Sequence, residues 1–186
     1  MPDSALDALA ALIPPPANPR PSWPRLSWAE LFERLGTTLP ADYVSFIDRY
    51  GPGNLSKWLQ LYDPLQANSS LAEWARSVCD TYRIHRARFP DKYPLAVWPE
   101  PGGFLPCAMT EDADHLGWLT TGPPERWIIT VWPRHSYDVP QVEGAFTEAL
   151  LGWVRGDVDV EGLQADDEDE TEPHAFYPAT HPLRLA

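Results

Sequence analysis

Trp28-Ala29-Glu30-Leu31-Phe32-Glu33-Arg34-Leu35-Gly36-Thr37-Thr38-Leu39-Pro40-Ala41-Asp42-Tyr43-Val44-Ser45-Phe46-Ile47-Asp48-Arg49-Tyr50-Gly51 is the stretch on which the fold turns. Ser27 and Glu30 form an S-x-x-E capping box just ahead of it, in which each side chain satisfies a free backbone N–H at the other position. Trp28, Leu31, Phe32 and Leu35 recur at the spacing of one buried helical face, and Gly36 supplies the left-handed stop. Pro40 suits the first turn of a second helix, where its missing N–H costs nothing. Tyr43, Phe46, Ile47 and Tyr50 repeat the helical spacing, and Gly51-Pro52-Gly53 ends it. The link Thr37-Thr38-Leu39 is so short that the two helices must pack as neighbours.

Working outward, Ser4 can cap a short helix over residues 4–13, with Asp7 three residues on. Prolines at 14, 15, 16, 19, 21 and 24 then impose an extended connector. On the other side, Trp58–Tyr62 reads as a strand closed by Asp63-Pro64. A second capping box, Ser70 and Glu73, opens a helix that turns Leu71, Trp74, Val78 and Tyr82 inward. That helix has a basic end, Arg83, His85, Arg86 and Arg88, which complements the negative end of the helix dipole. From residue 94 the period becomes extended. Leu95–Trp98, Phe104–Met109, His115–Thr120 and Trp127–Trp132 read as short strands between Gly, Pro and Asp turns, and turns this short favour antiparallel neighbours. Glu143–Arg155 is a last helix, stopped by Gly156. The expected fold class is therefore α+β, with helices packed against a twisted, mainly antiparallel sheet.

The chain has 186 residues, 22 of them proline, which argues for short elements joined by rigid turns. Net charge is −13, unevenly placed: residues 157–186 hold nine acids and one base, whereas residues 1–156 are only mildly negative. Three regions follow: a Pro-rich lead over 1–22 with a possible short helix, a folded domain over 23–156, and an acidic tail over 157–186. Asp166–Glu170 is five consecutive acids, a run that repels itself and normally stays solvated. Phe176 and Tyr177 could fold back onto the domain, but nothing in the sequence requires it. A basic nucleic-acid footprint is absent. Residues 1–13 lack the positive leading region of a signal peptide, and no segment reaches the ~18 apolar residues of a membrane span. Cys79 and Cys107 read as reduced core thiols. The expectation is a cytoplasmic protein that binds neither nucleic acid nor membrane.

The chemistry-bearing residue types do not assemble into a catalytic pattern. His135, Ser136 and Asp138 are crowded into one turn, while a catalytic triad converges from separate elements. Glu111, Asp112, Asp114 and His115 match neither a calcium loop nor a zinc interval, and read as a polar hairpin turn. Gly102-Gly103 precedes Phe104-Leu105 rather than the Lys-Ser/Thr of a phosphate loop. No enzyme activity, cofactor or metal is expected; the function class left is binding.

The order of motifs resembles the SUKH superfamily, which includes the fungal cell-wall synthesis regulator and many bacterial immunity proteins. The resemblance runs over about residues 23–155. It rests on the helix ending Leu35-Gly36, on Leu39-Pro40-Ala41-Asp42-Tyr43, on the aromatic helix ending at Gly51, and on the strand Trp58–Tyr62. It continues in Phe104–Met109, Glu111–Asp114, Leu116-Gly117-Trp118, Gly122-Pro123-Pro124 and Trp127-Ile128-Ile129. The basic segment 83–92 and the acidic tail lie outside the pattern. The resemblance implies a non-catalytic protein that masks a polymorphic toxin, often a nuclease or deaminase, encoded nearby. The alternative is an intracellular regulatory adaptor, with the lead and tail as its docking segments. Gly36, Leu39, Pro40, Asp42, Tyr43, Gly51 and Trp127 are then motif positions with structural roles. The partner-contact candidates are Glu111, Asp112, Asp114, Trp118 and Trp28; both Trp residues lie in apolar periods, which favours the core for them.

Overall fold

The computed structural model describes residues 4–164 and 173–182, so the run Asp166–Glu170 lies outside the described residues. The elements in chain order are α1 (Ser4–Leu12), α2 (Trp28–Leu35), α3 (Ala41–Tyr50), β1 (Gly53–Leu55), β2 (Leu59–Leu61), α4 (Leu71–Arg88), β3 (Phe104–Thr110), β4 (His115–Leu119), β5 (Ile128–Trp132), β6 (Gln141–Val142), α5 (Phe146–Arg155) and β7 (Phe176–Pro178). The fold is α+β. One sheet runs β6-β5-β4-β3-β2-β1-β7, and every neighbouring pair is antiparallel.

Strand alternation decides where the helices sit. On β4, Trp118 points to one face, where it meets Tyr43 of α3 and Phe146 of α5. His115 points to the other face, where it meets Trp74 of α4. Helices α3 and α5 thus cover one side, with α1 against α5, and α4 covers the other, with α2 against it.

The local signals around α2 and α3 act as their chemistry requires. Ser27 N–H donates to Glu30 at 2.7 Å, and Gly36 adopts φ 70°, where only glycine is unstrained. Gly51 has φ 73°, and a Cβ there would collide with the Pro19 carbonyl. The proline-rich lead passes directly over the end of α3, which is a second reason for glycine.

Three expectations need correction. Leu95–Trp98 is not a strand; it makes a single bridge, Val97 to Phe104. The Ala96 carbonyl and the Trp98 N–H bond to the backbone of Phe104, and side chains of α4 take other groups of the segment. The Leu95 N–H donates to Tyr82 Oη at 2.9 Å, Arg86 donates to the Leu95 carbonyl at 2.9 Å, and Arg83 donates to the Trp98 carbonyl at 2.7 Å. Arg83 and Arg86 also share the Glu100 carboxylate. The basic end of α4 is therefore half clamp, and not simply a solvated helix end. Secondly, α4 has 18 residues, which proline content argued against. Residues 65–89 contain no proline, so the composition never applied there.

Thirdly, the described parts of the lead and of the tail pack against the domain. Leu9 and Ile13 are buried in the common core, and Tyr50 Oη donates to the Ile13 carbonyl at 2.7 Å. Trp23 and Arg25 both donate to Asp63, which is 4% exposed, and so fasten the connector to the segment after β2. Leu163 is buried. Strand β7 pairs with β1 and sets Phe176 edge-on against Phe46 and Tyr50. The boundaries at 22/23 and 156/157 are changes of composition, not of packing.

Candidate functional site

The Leu39-Pro40-Ala41-Asp42-Tyr43 segment places three side chains in three roles. Leu39 is core. Tyr43 is fully buried and stands edge-on to Trp118 and Phe146, both at 5.0 Å between ring centres. Asp42 accepts the Thr147 N–H at 2.9 Å. Thr147 lies in the first turn of α5, so Asp42 serves as a cap supplied by another helix. The motif therefore joins α3 to α5 and to β4.

The same junction leaves a cleft of about 400 Å³. Pro40 and Asp42 line it from α3, Trp118 from β4, Glu125 and Trp127 from the turn before β5, and Glu148 from α5. Trp127 is held there because its indole Nε1 donates to the Gly122 carbonyl at 3.0 Å. The lining has three carboxylates and no Lys, Arg or His. Two of the carboxylates already have backbone donors: Asp42 has Thr147, and Glu148 has the Ala145 N–H at 2.8 Å. The positive end of α5 is thereby satisfied and does not offer an anion site. Glu125 is exposed and has no hydrogen-bond or ion-pair partner among the described residues. A cation entering the cleft would meet Glu125 at its exposed rim, with the Trp127 indole, 8% exposed, forming part of the wall.

Of the residues expected from sequence to touch a partner, the structure separates rather than gathers them. Trp118 is 1% exposed, so its side chain is core beneath the cleft and not a surface anchor. Asp114 is also corrected. It is 6% exposed, accepts the Arg134 N–H and the Thr110 hydroxyl, and organises the β3–β4 turn from within. Glu111 and Asp112 are exposed at the tip of that turn, at the opposite end of β4 from the cleft. Trp28 is half-buried on α2, stacked on Phe32 and donating to Asp48.

Glu125 and Glu148 did not stand out in the sequence. Glu148 had one available signal, its place three residues into the first turn of α5, where a carboxylate reaches back to a free N–H. Glu125, in a Pro-rich turn, had none.

Elsewhere, Cys79 and Cys107 are buried free thiols; burial pushes Cys79 up to about 12 and holds Cys107 well above the usual thiol range, so neither is a nucleophile at neutral pH. Among the described residues no three His, Cys, Asp or Glu side chains gather as a metal site, and no helix is long and apolar enough to cross a membrane. No protein-family model, curated protein or solved structure matches this chain.

Proposed function

We propose that this chain is a non-catalytic protein-binding domain that neutralises a bacterial toxin domain by direct binding, as the SUKH resemblance of residues 23–155 implies. The observation that carries the reading is the convergence of Pro40, Asp42 and Trp127 on a cleft whose Glu125 has no internal partner. A toxin that acts on nucleic acid needs Lys or Arg to hold phosphates. An acid-rimmed cleft with a rigid indole wall is complementary to such a side chain, and filling it would occupy a group the toxin needs for its substrate. The cleft walls are fixed by core packing, so little ordering cost opposes binding.

The adaptor reading has no observation of its own. It relies on residues 1–22 and 157–186 as docking segments, and the described parts of both are packed into the domain.

The test is co-expression of the full chain with the toxin domain encoded beside its gene. Growth should be restored by the wild type and lost with Glu125→Lys. If no neighbouring product is toxic, or if the chain fails to protect against one that is, the reading falls.

A further inference from the structure

We propose that the exposed end of α4 is a second docking surface, which takes an acidic protein segment carrying apolar side chains. The segment 83–92 belongs to no motif, and only half of its charge is used inside the fold. Arg83 and Arg86 are committed to Glu100 and to the carbonyls of Leu95 and Trp98. Among the described residues, Arg88 and Lys92 have no carboxylate within ion-pair distance.

Three large apolar side chains stand beside those cations: Ile84 at 64%, Phe89 at 50% and Tyr137 at 53% exposure. Phe89 and Tyr137 flank one cation, Lys92. Ile84 and Arg88 are neighbours one helical turn apart. The Lys92 ammonium lies 4.6 Å from the Tyr137 ring centre and 5.9 Å from that of Phe89. Tyr93 stands edge-on to Tyr137, and His85 stacks on Tyr93 at 5.2 Å. The Arg83–Arg86–Glu100 clamp holds the loop beneath, so the aromatic platform is preorganised.

Charge selects the occupant. Arg88 and Lys92 outnumber the one exposed acid of the segment, Asp91, and so favour an acidic partner, while the aliphatic Ile84 calls for an apolar side chain rather than a base. The whole chain carries −13, which repels extended polyanions such as nucleic acid or an anionic bilayer. A short acidic peptide feels mainly the charges within a Debye length, about 10 Å at 0.1 M salt, and so responds to the local positive patch.

The experiment is fluorescence anisotropy of the full chain with a labelled short peptide of Asp, Glu, Leu and Phe. The expected result is saturable binding, weakened about tenfold or more by Arg88→Glu with Lys92→Glu and by Ile84→Ser, and reduced by salt. Glu125→Lys, at the cleft, should leave it unchanged. These positions are exposed, so matching thermal melts should confirm that the variants fold. Absence of saturable binding, equal binding by the charge-reversed variant, or equal binding of a Lys-for-acid peptide overturns the proposal. So does preferential binding of phosphatidylserine vesicles or single-stranded DNA.

Discussion

Asp42 in the first turn of α3 accepts the backbone N–H of Thr147 in the first turn of α5, across 105 positions of sequence. A residue that reads as part of a local motif therefore holds together two helices from opposite ends of the chain. Asp42→Ala should cost about 0.5–2 kcal/mol, the range for losing a helix cap, while Asp42→Asn, which keeps an acceptor, should cost less. Urea unfolding of the three proteins checks the order.

Tyr43 offers the opposite case. Its hydroxyl is buried with no hydrogen-bond partner, and burial pushes its pKa well above the usual phenol range. A buried polar group without a partner costs about 1–3 kcal/mol. Tyr43→Phe keeps both ring contacts and removes that cost, so it should leave the unfolding midpoint unchanged or raise it. A clear loss of stability would mean that the hydroxyl has a partner in solution.

His115 makes stability depend on pH. Its ring lies between Trp74 and Trp132, Nδ1 is sealed without a partner, and burial pulls its pKa from 6.5 down to about 4. The unfolded chain binds this proton first, so its contribution is complete above pH 6.5 and is lost as pH falls towards 4. The loss over that window is about 3 kcal/mol at most, at ~1.4 kcal/mol per unit of pKa. The Glu30 and Glu100 carboxylates, held low by the Ser27 N–H and by Arg86, act in the same direction at lower pH. His115→Phe keeps the stacking and removes the titration. Denaturant midpoints at pH 7 and pH 5 should therefore lie closer together in the variant than in the wild type.

Much of this fold was legible because its signals are local. The Ser27 box, Gly36, the inward face of α4 and the β3–β5 hairpins each lie within a few consecutive residues. What the sequence hid depends on distant partners. The backbone of Leu95–Trp98 has strand composition, yet it meets a neighbouring strand only at Phe104, and Tyr82, Arg83 and Arg86 supply hydrogen bonds to Leu95 and Trp98. Residues 53–55 became a strand only by pairing with Leu59–Leu61 and with Phe176–Pro178, and the first of these pairings lay behind a Gly-Pro-Gly terminator. A short helix over residues 4–13 was expected from Ser4 and Asp7, but not the fact that it would pack against α5. The site was hidden for the same reason. Trp127 and Asp42 carried motif signals, whereas Glu125 and Glu148 reach the cleft from separate turns. The apolar setting of Trp118 favoured the core although it was also a partner-contact candidate, and it packs against Tyr43, Phe146 and Trp127.

The most direct measurement is calorimetric titration of the full chain with the toxin domain encoded beside its gene, comparing the wild type with Glu125→Lys and Trp127→Ala. The account predicts a tight one-to-one complex, weakened about a hundredfold or more by each cleft variant while unfolding curves show both variants folded. Unchanged affinity in both variants, or no complex with the wild type, would contradict it.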